Sequence, residues 1–418
     1  MDLEQQLRES YGEQLGALDV PGGDVAEARR SGLRMRARRR LVVGAAAFAV
    51  VAVAVGGSLV GTGRVSIGPS HSGGTWRELP ASPLSPRADA VSIWTGREVI
   101  VLGGDRNPCP DNADCAAPPN ELRDGAAYDP VANTWRPIPP APVPVGSGDR
   151  LVVADGTAAD GVVVLRAARP HGSRWFTYEP DHNRWSTITD VPPGVGDLPS
   201  AIGSRVYVLA GRRVAVYDVT RFRWSFLPPD RIRPRLTQRS VTATDAGPVV
   251  TGVDATKPND GNEPSLILAD VWDGTSWRRL PASDQLGNGF SWTGTRMVDP
   301  EPFTLDGGEV NGWGRSYPVG GTLDSATGTW GPLPDSMVDP PSGDDGHLDV
   351  SASGGSWFAV AGQAYDDATG RVYRLDRPAG ALGNATAAWT DGKLLVFGGA
   401  AFDEDGTHLT NRAWLWTP

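Results

Sequence analysis

The chain has few of the side chains that bind transition metals. Only two cysteines and five histidines occur among its 418 residues. Zinc, copper and iron sites are usually built from several thiolate or imidazole ligands held close together. The sequence therefore argues against a transition-metal centre, and it predicts neither a metal site nor a cofactor.

Positive charge is also scarce. The chain has 39 Lys and Arg against 49 Asp and Glu, a formal net charge of −10. A mildly acidic surface repels phosphate backbones, so we do not expect nucleic acid as a partner. The main exception is a basic cluster in residues 29–40, formed by seven arginines: Arg29, Arg30, Arg34, Arg36, Arg38, Arg39 and Arg40.

One long segment, Leu41 to Gly61, has no charge at all. A helix of its 21 residues is just long enough to span a hydrocarbon core of about 30 Å. The segment predicts a single transmembrane helix, with a cleaved signal peptide as the alternative. The basic cluster before it should stay in the cytoplasm, which would place everything after it outside.

The chain divides at this segment. Residues 1–40 form a predicted basic cytoplasmic tail, which is either weakly ordered or a docking segment for a cytoplasmic partner or the membrane surface. Residues 62–73 are predicted to be a flexible linker. Residues 74–418 are rich in short apolar runs separated by turn residues, which indicates an all-β domain.

A spaced motif recurs through that domain. An aromatic residue or Leu precedes an acid, and Trp follows seven positions after the first residue. In four of the five full-length copies, the residue two before the last is Asn or Gly, which suits a tight hairpin turn. The copies are Tyr128–Asp129 to Trp135, Tyr178–Glu179 to Trp185, Tyr217–Asp218 to Trp224, Leu323–Asp324 to Trp330 and Tyr365–Asp366 to Val372, with Trp272–Asp273 to Trp277 as a shortened one.

Two further strands precede each hairpin, so each repeat supplies four strands. The last repeat, from Asn384 onward, lacks its Trp-bearing strand, and Thr75–Pro80 at the front of the domain can supply it. Such a closure leaves no exposed sheet edge. We predict a seven-bladed β-propeller, with six blades as the alternative, whose N-terminal strand closes the last blade and which follows a single transmembrane helix.

The repeat resembles the kelch family, of the membrane-anchored bacterial type. The resemblance is carried by Val99–Gly104 with Ala127–Asp129 and Trp135, and by Leu394–Gly399, and it covers about 345 residues. It implies the central-domain fold of galactose oxidase and a binding role toward proteins or carbohydrates.

The resemblance does not extend to the copper site of galactose oxidase, which uses two Tyr, two His and a Tyr–Cys crosslink. The two cysteines, Cys109 and Cys115, share one loop with no Tyr or His beside them. We therefore predict no catalytic residues, and leave open whether the chain catalyses a reaction. Outside the cytoplasm, two cysteines so close in sequence predict a small-loop disulfide.

The connections between the second and third strands of the blades are the best candidates for binding. They are long in blades one, four and seven, at about 105–124, 254–264 and 400–411, and blades seven and one are neighbours in a closed ring. Their acidic side chains predict a rim that binds a cationic or polyhydroxylated partner. This predicted rim consists of Asp111, Asp114, Glu121, Asp403 and Asp405.

Together these features predict a membrane-anchored, extracytoplasmic binding module that recognises a protein or a cell-envelope glycan. One alternative is an enzyme that acts on envelope carbohydrate through paired loop carboxylates. Another is a transmembrane sensor that relays binding to the cytoplasmic tail.

Overall fold

The computed structural model describes residues 73–418 with gaps. The gaps are 110–114, 116–117, 148–153, 169–172, 197, 258–263, 303, 307–315, 339–345, 349 and 404–405. The tail, the apolar segment Leu41–Gly61 and the linker up to residue 72 lie outside the described residues. Within the described part of the chain, no helix has the length and apolar character needed to cross a bilayer.

Seven four-stranded antiparallel sheets form the blades of a propeller. The predicted blade count of seven is confirmed, and the alternative of six is wrong. Blade one comprises β2–β5 (Val91–Trp94, Val99–Leu102, Gly125–Asp129, Thr134–Ile138), blade two β6–β9 (Ala154–Ala159, Val162–Ala167, Arg174–Glu179, Arg184–Thr187) and blade three β10–β13 (Ser200–Ile202, Arg205–Ala210, Arg213–Asp218, Arg223–Phe226).

The next three blades follow the same chain order. Blade four comprises β14–β17 (Leu236–Thr242, Val249–Asp254, Ile267–Trp272, Trp277–Arg279), blade five β18, β19, β22 and β23 (Ser291–Trp292, Met297–Asp299, Gly321–Asp324, Thr329–Gly331), and blade six β24–β27 (Ala352–Gly354, Trp357–Val360, Gln363–Asp366, Arg371–Arg374). One short helix, α1 (Asp335–Val338), precedes blade six.

Blade seven is assembled from both ends of the domain, as predicted. Its strands are β28 (Thr386–Thr390), β29 (Lys393–Phe397), β32 (Ala413–Thr417) and β1 (Thr75–Glu78). β1 pairs antiparallel with β32, and Trp76 stands opposite Trp416. The ring is therefore closed by backbone hydrogen bonds between the first and last strands.

The repeated acid caps the turn between the third and fourth strands. The Oδ1 of Asp129 accepts the backbone N–H groups of Val131 and Ala132 at 2.8 and 2.9 Å. Near the end of this turn, Asn133 has a φ of 54°. A left-handed residue is needed there to reverse the chain, which explains why Asn or Gly recurs two positions before the Trp.

The repeated Trp packs between blades. The Trp135 ring of blade one lies 5.9 Å from Phe397 of blade seven, between ring centroids. Its indole Nε1–H also donates to the carbonyl oxygen of Pro80, which enters from the preceding blade. The same bond recurs around the ring, as Trp185 to Pro139, Trp277 to Pro228 and Trp330 to Pro281.

The double glycines of the kelch-like motif end the second strands of blades one and seven. Gly103 has a φ of 67°, and a Cβ placed on it would lie 2.0 Å from the carbonyl oxygen of Val145. Any side chain would push this connection away from the end of β3. Gly103 is therefore needed both for its backbone conformation and for this close approach.

Two extra hairpins do not belong to the four-stranded sheets. β20 (Thr304–Asp306) pairs with β21 (Ser316–Pro318) within blade five. β30 (Ala400–Asp403) pairs with β31 (Gly406–Leu409) within blade seven. Both interrupt the path from the second to the third strand of their blade.

Candidate functional site

Antiparallel blades divide their connections between two faces of the propeller. The turns from strand one to two and from three to four lie on one face, called here the hairpin face. The connections from strand two to three, and from strand four to the next blade, lie on the opposite face, called here the loop face. The longest connections from strand two to three are 103–124, 300–320 and 398–412, in blades one, five and seven.

The loop face differs in one respect from the sequence prediction. Long connections were expected in blades one, four and seven, and that of blade five was missed. In blade five the chain leaves β19 at Asp299 and returns at Gly321, with the β20–β21 hairpin between them.

The structure describes two of the five predicted rim residues. Glu121 forms an isolated β-bridge with Asp105 in the blade-one connection. Asp403 is exposed at the end of β30, and its Oδ1 lies 3.0 Å from His408 Nε2. The other three, Asp111, Asp114 and Asp405, lie outside the described residues. That the rim binds a ligand stays a prediction.

The predicted disulfide in the blade-one connection is confirmed. Cys109 and Cys115 are bonded, with their Cα atoms 5.9 Å apart. The buried carboxylate of Asp105 holds the base of this loop, since one of its oxygens accepts the backbone N–H groups of Asn107 and Asn120 at 2.8 and 2.7 Å. The loop is thus fixed at its base and by its disulfide.

A buried arginine joins blades seven and one beside this loop. Arg87 is 0% exposed, and its guanidinium forms a two-pronged ion pair with Asp124 at 2.7 and 2.8 Å. It also donates to the carbonyl oxygen of Gly103, while its own carbonyl accepts from the N–H of Gly399. The hydrogen bond from Arg87 lowers the pKa of Asp124. The double glycines of both blades therefore meet at Arg87.

A cleft of about 680 Å³ opens on the loop face between blades three and four. Four arginines line it. Arg212 comes from the turn between β11 and β12, Arg231 and Arg235 from the connection between the blades, and Arg239 from β14. The apolar part of the wall is formed by Leu209, Pro229, Ile232, Leu236 and Ala255.

Arg239 is the least exposed of these arginines. Its Nη1 donates to the carbonyl oxygen of Gly211 at 3.0 Å, which ties β14 to the turn of blade three. Burial lowers the pKa of Arg239, the carboxylates of Asp230 and Asp270 partly offset that effect, and the positive charge of Arg212 adds to it. The guanidinium groups of Arg212 and Arg239 are therefore close enough to repel each other.

Two carboxyl groups, those of Asp230 and Asp270, lie at the cleft, and Asp270 is already paired with an arginine. Asp270 is 0% exposed and is paired with Arg279, whose Nη2 also donates to the carbonyl oxygen of Pro234 at 2.9 Å. Burial raises the pKa of Asp270 to about 6, and a hydrogen bond with Asp230 contributes to that rise. Asp230 thus faces another carboxyl group, as well as the arginines of the cleft.

This cleft was not predicted from the sequence. Residues 212–239 contain eight arginines and two aspartates in a chain that is acidic overall, and this local excess was the available signal. Spacing alone could not show which arginines converge. Arg221 and Arg223 lie at the turn between β12 and β13, on the hairpin face, although they stand between Arg212 and Arg231 in the sequence.

Blade five contains a second pair of perturbed carboxyl groups, Asp299 and Glu301. Burial raises the pKa of Asp299 to about 6 and also raises that of Glu301. Asp299 is 0% exposed, and its oxygens accept the backbone N–H groups of Gly289 and Glu301 at 2.8 and 3.3 Å. The bond from Gly289 ties the connection that precedes β18 to β19. Because Asp299 is fully buried, a substrate could not reach its carboxyl group.

Within the described part of the chain, no group of three His, Cys, Asp or Glu side chains could hold a metal ion. No model of a known protein family matches the sequence, and no curated protein matches it.

Proposed function

We propose that this protein is a membrane-anchored, extracytoplasmic binding module of kelch type, which recognises a protein or a cell-envelope glycan through the loop face. β-Propellers commonly serve as interaction scaffolds, and their irregular connections carry the contacts. The single observation that carries the proposal is the concentration of long connections on one face. The hairpin face, by contrast, consists of tight capped turns such as that of Asp129 to Asn133.

The disulfide supports an extracytoplasmic location. Cys109 and Cys115 form a bond that persists in oxidising compartments and is rare in the cytosol. The arginines of residues 29–40 and the uncharged segment Leu41–Gly61 support an orientation with the propeller outside.

The rigid base of the blade-one connection supports binding by that loop. Asp105 holds the backbone at Asn107 and Asn120, and the disulfide crosslinks Cys109 to Cys115, so these anchored positions would lose little conformational entropy when a partner binds. The junction at Arg87 holds this connection beside blade seven, whose β30–β31 hairpin extends the same face.

Site-specific photo-crosslinking of the full-length chain in its own membrane tests the proposal. Crosslinking groups would be placed on the loop face at Asn107, Phe402 and Thr407. Matched groups would be placed on the hairpin face at Val131, Thr220 and Ala326. We expect partner adducts from the first set and none from the second.

Adducts confined to the hairpin-face positions would contradict the choice of face. No adduct from either set would contradict the binding role itself. Replacing the four aspartates of the rim together, as Asp111→Ala, Asp114→Ala, Asp403→Ala and Asp405→Ala, should reduce the loop-face adducts. The reduction should be smaller at high salt, where the native contact is already screened.

A further inference from the structure

We propose that the cleft between blades three and four is a binding site for a small ligand that carries at least two oxyanion groups, phosphate or carboxylate, on a partly apolar body. The inference rests on the proposed function in taking the loop face as the binding face, and it names the chemistry of one ligand there. The cleft is lined by Arg212, Arg231, Arg235 and Arg239.

The charge of the cleft is not balanced from within. Among the described residues, Arg212, Arg231 and Arg235 form no ion pair, and all three are exposed at the cleft. Among the described residues that line it, Asp230 is the only acid, and its carboxyl group lies close enough to Asp270 to raise the pKa of that group. Four guanidinium groups therefore face one carboxylate in the cleft.

Gathering like charges in one cleft opposes folding, since each guanidinium raises the electrostatic energy of the others. A bound anion would remove that repulsion. Arginine suits this role because its planar guanidinium binds carboxylate or phosphate through two parallel hydrogen bonds. Within the described part of the chain, the guanidinium groups of Arg231 and Arg235 have no ion-pair partner, and Arg279 anchors their connection through Pro234.

The shape of the cleft indicates a small molecule and not a bare ion. Its volume of about 680 Å³ lies in the range of ligand pockets in proteins, roughly 300–1,000 Å³. One part of the wall is apolar, with Leu209, Ile232 and Leu236, and Thr237 and Gln238 add neutral polar groups. A charged group would meet the arginines while a ring or short chain would cover the apolar wall.

The test measures binding of pyrophosphate and of citrate to the purified full-length chain by titration calorimetry at low salt. These probes represent the phosphate and the carboxylate source of the same chemistry, and glucose serves as the neutral probe. We expect the wild-type chain to bind one or both anions and not glucose. The double variant Arg231→Gln and Arg235→Gln should weaken that affinity at least tenfold.

The matched control is Arg205→Gln with Arg223→Gln. Both residues are exposed in the same blade three, at the ends of β11 and β13 that meet the hairpin face. This variant removes the same charge from the chain and should bind the anions as the wild type does. An equal loss in both double variants would show a general charge effect and overturn the site.

Failure to bind either anion would also overturn this inference. That outcome would leave the proposed function standing if loop-face crosslinks are still found. Conversely, anion binding that is lost in the Arg231 and Arg235 variant would support the cleft even if partner crosslinks map to the hairpin face.

Discussion

A carboxylate caps the turn from the third to the fourth strand in several blades. Asp218, for example, accepts the backbone N–H groups of Thr220 and Arg221, both at 3.0 Å, and Asp324 accepts those of Ala326 and Thr327. Each turn then needs one residue with a positive φ before the fourth strand. The chain supplies Asn or Gly at four of these positions, and in blade three it supplies Phe222, with a φ of 51°.

Phe222→Asn should stabilise the protein by about 1–2 kcal/mol. A left-handed conformation costs an ordinary side chain about 1–2 kcal/mol, and Asn tolerates it better. Phe222 is 57% exposed, so little packing is lost. Asn would also offer Tyr217 the partner that Tyr178 has, since the hydroxyl of Tyr178 donates to Asn183 at 2.7 Å. Chemical unfolding of the full-length chain measures the change.

Val131→Asn is the control for this prediction. Val131 is 94% exposed in the corresponding turn of blade one and does not have a positive φ. Its replacement should change the free energy of unfolding by no more than about 0.5 kcal/mol. Equal effects of the two substitutions would show that surface polarity, and not backbone conformation, sets the stability of these turns.

Blade three departs from the repeat at a second residue. In four other blades, the Nε1–H of the repeated Trp donates to the backbone carbonyl of a proline. That proline lies four positions after the repeated Trp of the preceding blade. Thr189 occupies that position before blade three, and the buried Nε1 of Trp224 has no hydrogen-bond partner among the described residues. Trp224 packs instead against the edge of Trp175, with ring centroids 5.7 Å apart. The recurring proline is visible in the sequence, but the sequence does not show that its carbonyl accepts a hydrogen bond from the Trp of the next blade.

At the scale of strands, β1 is the element that closes the ring. Its four residues complete blade seven, and the N–H of Leu79 adds one more bond to the carbonyl of Ala413 at 2.8 Å. Glu78 forms a two-pronged ion pair with Arg412 at 2.6 and 2.7 Å across the same seam. β1, the first strand of the domain, pairs with the last one, so its loss would open the ring at blade seven.

Deleting residues 74–80 should lower the free energy of unfolding by at least about 3 kcal/mol. The deletion leaves the outer edge of β32 unpaired, uncovers Trp416 and removes the buried Leu79 from the core. Burial losses of this kind cost about 2–5 kcal/mol per large apolar side chain. Trp76 itself is only partly buried, so Trp76→Ala should cost less than the deletion. Thermal and chemical unfolding give both values.

Glu78→Gln is the matched control, because it keeps the strand and weakens only an exposed ion pair. Such exposed pairs contribute little to stability, because water and salt screen them. A deletion variant that unfolds at the same denaturant concentration as Glu78→Gln would show that β1 is not needed to close the ring.

The sequence predicted the elements that repeat and missed those that do not. The Tyr–Asp to Trp spacing identified the outer hairpins, and the incomplete last repeat identified Thr75–Pro80 as its fourth strand. The hairpin of β20 and β21 was missed because each strand has three residues, too few for alternation to be recognised. The arginine cleft was missed because its arginines come from a turn, from the connection between two blades and from strand β14, which only the fold brings together.

At the scale of the whole molecule, charge is distributed unevenly over one face. The chain carries a net charge of −10, and the predicted acidic rim lies in the connections of blades one and seven. The arginine cleft lies on the same face between blades three and four. A partner that contacts both regions would need positive or hydroxyl groups on one side and oxyanions on the other, which would orient it on the face.

The orientation of the chain across the membrane gives the last prediction. The positive charges of residues 29–40 should hold that end in the cytoplasm, so that the segment Leu41–Gly61 carries the propeller outward. A reporter enzyme that is active only outside the cytoplasm, fused after Pro418, should therefore be active. In the same cells, mass spectrometry should find the peptides of Cys109 and Cys115 linked, because the bond forms only where the propeller meets an oxidising compartment.

The two measurements check each other. Replacing the seven arginines of residues 29–40 with Gln removes the charge bias without touching the propeller, so reporter activity and the linked peptides should fall together. Thiols at Cys109 and Cys115 that are fully alkylated without reductant, in cells where the native chain gives no reporter activity, would place the propeller in the cytoplasm and contradict the orientation. An active reporter with free thiols would instead contradict only the link between the disulfide and export.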